Sequence, residues 1–583
     1  MKIVVCVKTS AGAAVTPAED FERSGRVGHT VLPPFDACAV EEALRLVEKA
    51  GKGEVVIVSV APAEALGAIR EALALGAHRG VMLSDPALAG ADLRAIGHAL
   101  AALLAREPAD LYLTCSWSGD IDGTLLWVGA AELLKLPVLT QSRRLQFANN
   151  EVVTARQTEG GAVTLAAPLP CLVEVTETIN KPRYPTIKGK AAARSKPITI
   201  LRLSDLGLPS VVAAVGSKVV SPSERLQRRR PIVIEDRTRA PQQIVEFLET
   251  RKLDPMNVLV YSEGWSGAPD PDALGVLSKA FSLGEPVTAV VCGGAAEEFV
   301  PVFASHGAGR VLAVHDRSFA EPVYTSRVDA LETICRRHDI EVLLFPTTAL
   351  TVDVAASLAM RLEAGLCWGL VDVEIADGDL IGKRLAENDT VVVELKWTTR
   401  VKIGLFRPHV LEPMIVVGPA PEVEILLLDL PHRAAAPRLI EMKPREAGND
   451  LALGRADIVV SGGRGLEKPE NLGLVGELAL TLDGVIGVSL PLVEMGWAPR
   501  SMQVGQTGTT VRPRLYFACG ISGQMQHRVG MENSGTIIAI NRDGSAPIMS
   551  FCDLAVVAEL ESVVPRLIEL LRKRRTARQA RPI

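Results

Sequence analysis

The chain has 583 residues, of which 48% are hydrophobic and 22% charged, and its formal net charge is −5. This length predicts roughly three or four domains with buried cores, and the composition excludes an intrinsically disordered chain. The negative charge and the 4% aromatic content argue against a nucleic-acid-binding protein.

The cysteine pattern and the hydropathy exclude further classes. The nine cysteines include no CxxC pair, so no metal site is predicted, and reduced thiols in the cytoplasm are expected. The apolar run at the N-terminus is too short for a signal peptide. Since no apolar run reaches the roughly 18 residues of a membrane span, we expect no direct membrane insertion.

Residues 1–204 show strands and helices in alternation. Short apolar runs predict strands at 3–7, 54–60, 80–83 and 111–114. Helical spacing predicts helices at 40–48, 63–75 and 92–106. This order predicts a doubly wound α/β domain with a mainly parallel sheet.

The middle of the chain repeats this pattern. Residues 75–85 align without a gap with 306–316, and at the same offset 111–113 fall on 342–344 and Asp122 on Asp353. We interpret residues 255–445 as a second, related doubly wound α/β domain, produced by internal duplication or by fusion of two paralogous subunits. Between the copies, the prolines and the Arg228–Arg230 run of residues 205–254 predict an extended arm with one helix at 241–251.

A third α/β unit is predicted at 446–575, followed by a basic tail at 576–583. A buried strand at 456–460 leads into the glycine-rich segment 461–465 and a helix at 471–482. That geometry is typical of phosphate binding at a helix N-terminus. Further strands are predicted at 485–488, 515–519 and 536–541, and a last helix at 554–575.

Two loops of this third unit carry the most specific signal. Residues 504–508 and 520–527 combine glycines with hydroxyl and amide side chains and one histidine. Such loops let a backbone approach a phosphate-bearing ligand and offer it N–H donors. Because neither loop has the lysine of a P-loop, a bound dinucleotide cofactor is a better interpretation than nucleotide hydrolysis.

Together these motifs resemble those of the electron-transfer flavoproteins. The N-terminal part resembles the β subunit through residues 5–8, 34–36 and 180–185, and the chain from about Met256 resembles the α subunit. The most specific match is the family's C-terminal FAD domain, through residues 462–465, 503–508, 520–523, 526–527 and 539–541. The resemblance implies a natural β–α fusion with a Rossmann-like, FAD-binding C-terminal domain and one FAD.

The resemblance also implies which residues would contact FAD. Arg464 would lie beside the flavin ring, Thr507 near its N5 atom, and His527 at its O2/N1 edge. The alternatives are a surface position for Arg464, an already satisfied histidine at 527, and an Asx turn before Asp543 made by Asn541. The full predicted set is Arg464, Ser489, Val504, Gly505, Gln506, Thr507, Ser522, Gly523, Gln524, Met525, Gln526, His527, Asn541, Glu559 and Leu560.

Two departures from the family's pattern limit this transfer. Leu490 stands where the family usually has an arginine that helps to stabilise the anionic flavin semiquinone, so we expect a lower potential and a less stable semiquinone than is typical of the family. In the β-like part, Leu125, Leu126 and Trp127 replace polar residues of the AMP loop. AMP binding is therefore doubtful, and its contacts would be Cys6, Pro34, Phe35, Asp36, Asp122, Gly123 and Thr124.

The predicted function is electron carriage rather than conversion of a substrate, and no catalytic residue is predicted. By resemblance, a flavoprotein dehydrogenase, such as an acyl-CoA dehydrogenase of fatty acid β-oxidation or an amine dehydrogenase, would reduce the FAD, and a quinone oxidoreductase would reoxidise it. Ile187 would anchor the partner, unless it packs within its own domain. The alternatives are an electron-bifurcating, NADH-oxidising flavoprotein with a second FAD, and a non-redox nucleotide-binding module.

Overall fold

The computed structural model describes residues 1–7, 32–116, 121–148, 150–158, 161–208, 216–219, 256–263, 269–284, 286–293, 296–376, 378–386, 391–416, 420–431, 433, 436–444, 453–454, 456–505, 508–532 and 534–579. The chain forms two compact units, Met1–Pro444 and Arg445–Ile583. Each unit is described by itself.

The first half of the larger unit is a parallel sheet flanked by helices. Its strands run in the order β10-β3-β2-β1-β4-β9-β5. The strands are β1 Lys2–Cys6, β2 Glu54–Val60, β3 Arg79–Leu83, β4 Leu111–Ser116, β5 Val138–Ser142, β6 Arg144–Ala148, β7 Glu151–Thr158, β8 Gly161–Pro168, β9 Cys171–Thr176 and β10 Ile198–Leu201. The helices are α1 Pro34–Ala50, α2 Leu66–Leu75, α3 Leu93–Arg106, α4 Ile121–Leu134 and α5 Ile187–Ala193.

Burial explains why the central strands could be predicted from the sequence. Ile3, Val4 and Val5 of β1 are all fully buried, as are residues 55–58 of β2. A strand covered by helices on both faces is apolar at consecutive positions, and that continuous run is the signal that the sequence carries. The predicted strands and helices of this half are therefore confirmed, with ends shifted by a few residues.

The second half of the larger unit repeats the first. Its sheet order β20-β14-β13-β12-β15-β19-β16 matches that of the first half strand for strand, and β17, β18 and β11 extend it. The strands are β11 Ser217–Val219, β12 Val258–Glu263, β13 Val287–Cys292, β14 Arg310–His315, β15 Val342–Pro346, β16 Gly365–Ala376, β17 Asp379–Ala386, β18 Val391–Trp397, β19 Lys402–Phe406, β20 Glu422–Leu427 and β21 Arg438–Pro444. The helices are α6 Pro271–Ser282, α7 Val300–Ala304, α8 Tyr324–Arg337 and α9 Ala349–Arg361.

The offset found in the sequence carries over to these elements. Strands β3 and β14 begin at Arg79 and Arg310, and the 14-residue helices α3 and α8 begin at Leu93 and Tyr324. The predicted repeat of one α/β fold is confirmed. The helix predicted at 241–251 lies outside the described residues.

Antiparallel strands were missed by the sequence analysis. Strands β6, β7 and β8 pair with one another, and β21 joins β8 from more than 270 residues away to form a four-stranded sheet. Strands β16 to β18 form a second antiparallel meander. These segments carry mixed polar and apolar residues with exposed positions, so no continuous apolar run marks them.

The smaller unit holds a five-stranded parallel sheet in the order β23-β22-β24-β25-β26. The strands are β22 Ile458–Gly462, β23 Val485–Val488, β24 Leu515–Cys519, β25 Ile537–Asn541 and β26 Leu554–Val557. The helices are α10 Asn471–Thr481, α11 Leu490–Glu494, α12 Met525–Arg528 and α13 Leu560–Gln579. The three-part fold class predicted from the sequence, two related doubly wound α/β domains and a C-terminal Rossmann-like α/β domain, is confirmed.

One element of this unit was predicted wrongly. Residues 554–557 form the edge strand β26, not the start of a helix, and α13 begins only at Leu560. Helix α13 also includes residues 576–579, which the sequence analysis assigned to a basic tail. Over the part of the chain that the structure covers, no helix has the length and apolar character needed to cross a membrane.

Candidate functional site

The strand order of the smaller unit places a crevice at the carboxyl ends of β22 and β24. The chain leaves β22 for β23 on one side and later returns to β24 on the other. In open α/β sheets, ligands bind at such a switch point, outside the carboxyl ends of the strands. Residues 463–465 and 520–522 follow these two strands, so the predicted cofactor residues lie at the edge where a ligand is expected.

The two loops at this edge contact each other through their backbones. The Gly463 N–H donates to the Cys519 carbonyl at 2.9 Å, and the Gly465 N–H donates to the Gly520 carbonyl at 2.8 Å. A Cβ atom at Gly463 would lie 2.5 Å from the Gly520 oxygen. Glycine is therefore required for the loops to meet, independently of any ligand.

Arg464 supplies a cation at this edge. It follows Gly463 in a short 3-10 turn, Arg464–Leu466, and its side chain is exposed. Among the described residues its guanidinium has no ion-pair or hydrogen-bond partner. This arginine is thus available to an anionic ligand, although exposure by itself also fits the alternative of a surface residue.

Ser489 and Leu490 lie at the end of the neighbouring strand β23. The Ser489 N–H donates to the Gly462 carbonyl at 2.9 Å, and Ser489 is the N-cap residue of α11 with no side-chain capping bond. Leu490 is partly exposed at the first position of that helix. Leu490 therefore presents an apolar side chain where the family's pattern has a cation.

The loop that begins at Val504 closes on itself. The Gly508 N–H donates to the Gly505 carbonyl at 2.9 Å, and the Thr509 N–H donates to the Gln503 carbonyl at 2.7 Å. Gly505 has a φ of +139°, and a Cβ there would lie 2.7 Å from the Gln526 carbonyl. Gln506 and Thr507, two predicted flavin contacts, lie outside the described residues.

The physical reason given for these glycines needs correction. Glycines were expected to make room for a phosphate-bearing ligand. A Cβ atom at Gly505 or Gly520 would instead collide with protein backbone. At Gly523, whose φ is +76°, it would collide with Ile548. The glycines allow the loops to pack closely against the rest of the protein. The groups that face a ligand must therefore be other atoms of these loops.

The loop after β24 offers polar groups to solvent. Ser522, Gln524 and Gln526 are exposed, and Met525 is partly exposed beside them. Their hydroxyl and amide groups are suitable donors to phosphate oxygens. The Ile548 N–H, which donates to the Ser522 carbonyl at 3.0 Å, fixes the backbone from which they project.

His527 differs from its neighbours in being buried, with 7% of its surface exposed. Its Nε2 lies 2.9 Å from the hydroxyl of Tyr516. Burial lowers the pKa of His527 to about 4, and a backbone hydrogen bond to Val504 opposes this shift. The imidazole is therefore neutral at physiological pH, and it acts through hydrogen bonds, not through charge.

The other nitrogen of His527, Nδ1, is also buried. Nδ1 makes no hydrogen bond of good geometry within the described residues. The Val504 backbone is also a hydrogen-bond partner of the imidazole and raises its pKa. His527 is therefore held by protein groups on the loop at 504 and on β24.

Both side-chain amide atoms of Asn541 form hydrogen bonds within the protein. Its Nδ2 donates to the Ile521 carbonyl at 3.0 Å, and its Oδ1 accepts from the Asp543 N–H at 3.0 Å. The second bond is the Asx turn that the sequence left open as an alternative. Glu559 is exposed after β26, whereas Leu560 is buried in the hydrophobic core at the start of α13.

The N-terminal repeat has an equivalent switch point, between β1 and β4. Burial and the nearby carboxylate of Asp36 raise the pKa of Cys6 to about 12. The Thr124 hydroxyl donates to buried Glu174 at 2.8 Å. Pro34 and Phe35 begin α1, Gly123 is buried, and the side chain of Asp122 lies outside the described part of the structure.

These groups make a poor phosphate site. Asp36 and Glu174 are both buried carboxylates, and none of the residues predicted to contact AMP is a lysine or arginine. Negative charge next to a phosphate is repulsive, most strongly where water is excluded. Leu125 and Trp127 are core residues.

The predicted docking residue lies on a well-supported surface helix. Ile187 is 90% exposed and Tyr184 is 93% exposed, so Ile187 does not pack within its own unit. Helix α5 is held against α2 by Arg70, whose Nη1 donates to the carbonyls of Ala193 and Lys196 at 2.7 and 2.6 Å. A Cβ at Gly189 would lie 2.5 Å from the Ala74 oxygen.

Comparison with known families agrees with this geometry. The family model described as electron transfer flavoprotein FAD-binding domain matches residues 452–532, which include both loops of the candidate site. The electron transfer flavoprotein domain matches residues 25–206 and 258–433, the two α/β repeats. The chain belongs to the electron transfer flavoprotein family.

Curated relatives support the same assignment. An electron transfer flavoprotein subunit alpha of Thermoanaerobacterium thermosaccharolyticum is 35% identical over 329 residues, 55% of this chain and 99% of the relative. The subunit alpha of Clostridium acetobutylicum is 35% identical over 327 residues, 54% of this chain and 97% of the relative. A protein named FixB of Bradyrhizobium diazoefficiens is 35% identical over 272 residues, 46% of this chain and 74% of the relative.

Sequence reasoning missed two residues at this site. Tyr516 reads in the sequence as one more apolar position of β24, and Ser461 as part of a glycine-rich turn. Both are fully buried; Ser461 lies next to the carboxyl end of β22, whereas Tyr516 lies near the amino end of β24. Tyr516 meets His527 only through the packing of α12 against β24, so no local signal could have identified it.

Proposed function

We propose that this protein is a single-chain electron carrier whose smaller unit holds one FAD. The main support is the FAD-binding domain match at residues 452–532, which coincides with the carboxyl-edge crevice. The residues there fit the cofactor, because they include an exposed arginine and exposed hydroxyl and amide donors.

FAD would supply the redox chemistry, by accepting and releasing electrons at its flavin ring. Arg464 would favour negative charge on the ring, and Ser489, Ser522, Gly523, Gln524 and Gln526 would hold the pyrophosphate. Thr507 with Gln506 and His527 would contact the flavin ring. Val504, Gly505 and Met525 would shape the loops, and Asn541, Glu559 and Leu560 would flank the ribose and adenine.

We propose further that the chain combines two subunits of its family. Residues 1–204 would correspond to the β subunit. Residues 255–445 and 446–575 would correspond to the two domains of the α subunit, and residues 205–254 would connect the two parts. The shared strand order of the two repeats supports this, as does the domain match on each. The alpha-subunit relative that aligns over 99% of its own length accounts for only 55% of this chain.

The proposed partners follow from the family's role. A flavoprotein dehydrogenase, for example one acting on acyl-CoA esters or amines, would be the electron donor, and a quinone oxidoreductase the acceptor. Ile187 would anchor the dehydrogenase, which its exposure on a helix fixed by Arg70 supports. Nucleic acid and membrane lipid are not among the proposed partners, and a cytoplasmic location stays a prediction.

We propose that the N-terminal repeat holds no second FAD, and AMP binding there is doubtful. The buried carboxylates Asp36 and Glu174 support this, since a phosphate would be repelled. The alternative is an electron-bifurcating flavoprotein that oxidises NADH, which would need a second flavin in this repeat.

The number of FAD and AMP molecules bound per chain distinguishes the proposed electron carrier from both alternatives. We expect the purified chain to be yellow, with one FAD released per chain on denaturation and no AMP. Two flavins per chain would support bifurcation. A colourless chain that takes up no flavin on reconstitution would refute the proposal and leave a non-redox nucleotide-binding module.

A further inference from the structure

Gly530 lies where two loops of the candidate site meet, and the sequence analysis did not include it among the cofactor residues. It follows helix α12 in the turn that ends the 520–527 loop. A Cβ atom built at Gly530 would lie 2.4 Å from the Cα atom and 2.5 Å from the backbone nitrogen of Gly505. The turn after α12 therefore rests directly on the backbone of the loop that begins at Val504.

Hydrogen bonds hold the same two segments together. The Val511 N–H donates to the Gly530 carbonyl at 2.8 Å. His527, on α12, has a hydrogen bond to the backbone of Val504. Together with the glycine contact, these bonds join segment 504–511 to segment 527–530 through protein atoms alone.

The requirement for glycine at position 530 is steric. Gly505, Gly520 and Gly523 have positive φ values, whereas Gly530 is not among the glycines with positive φ. An alanine at position 530 is therefore compatible with the backbone, but its methyl group would meet backbone atoms, which cannot rotate away as a side chain can. Carbon atoms in contact lie about 3.5–4.0 Å apart, so the two loops would have to separate by roughly 1 Å.

We propose that Gly530 is a positioning residue that seats the 504–508 loop against the turn after α12, so that these two loops are assembled before the cofactor binds. The inference rests on the proposed function for the identity of the ligand, because residues of both loops are proposed to contact FAD. The seating of the loop is a property of the protein without cofactor. Displacing one loop is costly for binding, since groups on both loops have to reach one ligand together.

The first test is hydrogen exchange of the full-length apoprotein, measured by mass spectrometry on fragments that cover residues 508–512. These fragments report whether the Val511 N–H stays bonded to Gly530. We expect slow exchange in the wild type and exchange about 2- to 10-fold faster in Gly530→Ala, with unchanged rates in fragments from β22 and β24. Fast exchange in the wild type, or an unchanged rate in Gly530→Ala, would overturn the proposal.

Gly476→Ala is the matched control. Gly476 lies in helix α10 of the same unit, and the nearest described atom to a Cβ built there is Ile486 Cδ1, at 3.8 Å. The same methyl group is thus added where there is room for it, and exchange at 508–512 should not change. The wild-type rate alone can contradict the proposal, so the test does not depend on the folding of Gly530→Ala.

The second test measures FAD binding to the apoprotein by fluorescence titration, together with the visible circular dichroism of the bound flavin. The circular dichroism reports the surroundings of the flavin ring, which a purely structural role of Gly530 would not alter. We expect Gly530→Ala to bind FAD at least ~10-fold more weakly and to change the spectrum, and Gly476→Ala to do neither. Unchanged affinity and an unchanged spectrum in Gly530→Ala would contradict the role toward the cofactor. If the wild type binds no FAD, the proposed function fails, while the exchange result still stands.

Discussion

At the residue scale, burial keeps the imidazole of His527 neutral, so that the side chain acts only through hydrogen bonds. An exposed histidine titrates near pH 6.5, where it would change charge close to physiological pH. In this protein the ring is 7% exposed and its pKa is lowered to about 4 by burial. His527 therefore does not change charge over the physiological pH range.

A stability prediction follows from the same shift. Between pH 6.5 and 4 the unfolded chain binds a proton at position 527 that the folded chain does not, so stability falls as the pH is lowered. The loss should reach roughly 3 kcal/mol by pH 4. Thermal unfolding of the wild type and His527→Gln, followed from pH 8 to pH 4, should show the wild type losing more stability over this interval. Parallel curves would contradict the prediction.

The buried ion pair Arg156–Asp353 is the second residue-scale feature. Arg156 of β7 and Asp353 of α9 are almost fully buried, at 2.8 Å, and Thr140 also donates to Asp353 at 3.0 Å. The pair joins the two repeats of the larger unit. Burial raises the pKa of Asp353 even though Arg156 opposes this, so desolvation is the larger effect.

Removing one partner of this pair should be far more costly than removing an exposed pair. Asp353→Ala leaves a buried guanidinium uncompensated, and we expect a loss of about 3–5 kcal/mol. Arg438→Ala breaks the more exposed contact with Glu151 and should cost less than about 1 kcal/mol. Chemical denaturation of the full chain measures both. Equal effects would show that burial does not decide the cost.

At the scale of elements, the crevice depends on two loops that touch through glycine. Gly463→Ala would place a methyl group 2.5 Å from the Gly520 oxygen and separate the ends of β22 and β24. We expect FAD binding to weaken at least ~10-fold, because small displacements of positioning groups are costly. Fluorescence titration with FAD measures this.

Helix α10 provides the control for that substitution. Gly473 has no atom within 4 Å of a built Cβ and lies in the helix, so Gly473→Ala should leave binding unchanged and stabilise the helix by up to ~1 kcal/mol. If Gly463→Ala also leaves binding unchanged, the loop contact does not shape the site.

Helix α5, which carries the proposed anchor Ile187, is fixed in place by hydrogen bonds to its neighbours. Thr186 caps it through the Gly189 N–H, and Arg70 and Lys196 tie it to α2, Lys196 by donating to the Leu73 and Ala77 carbonyls at 2.9 and 2.6 Å. A preformed helix loses little entropy on binding a partner. This fixation is consistent with an exposed anchor that must be ready to dock.

At the scale of the whole molecule, docking and cofactor binding should be separable by mutation. Ile187→Asp should slow reduction of the bound flavin by a partner dehydrogenase by ~10-fold or more, because a charged residue cannot fill an apolar pocket. The flavin spectrum and the unfolding temperature should not change. Ile187 lies in the larger unit and the FAD-domain match in the smaller one.

A matched variant distinguishes docking from general surface effects. Ile415 is 83% exposed in the second repeat, and Ile415→Asp should leave the rate of electron transfer unchanged. Stopped-flow reduction under anaerobic conditions compares the two variants. Equal slowing in both would remove Ile187 as a specific anchor.

Several features could be predicted from the sequence because they are local. Apolar runs such as residues 55–58 identify strands buried on both faces, and the constant offset between Leu93 and Tyr324 reveals the repeated fold. The positions of Ser489 and Ser522 at strand ends followed from strand boundaries. The same reasoning placed a helix at 554–557, since periodicity in a short segment does not distinguish an edge strand from a helix.

The sequence by itself determined the family, the repeat and the edge of the sheet at which a cofactor would bind, since these depend on composition, order and spacing along the chain. The tertiary structure decided which groups there are free to act. It turned Gly505 toward protein backbone, engaged both amide atoms of Asn541, and placed Tyr516 against His527. Those outcomes depend on tertiary contacts between separate elements and loops of the smaller unit. Burial, not residue type, set the charge of His527.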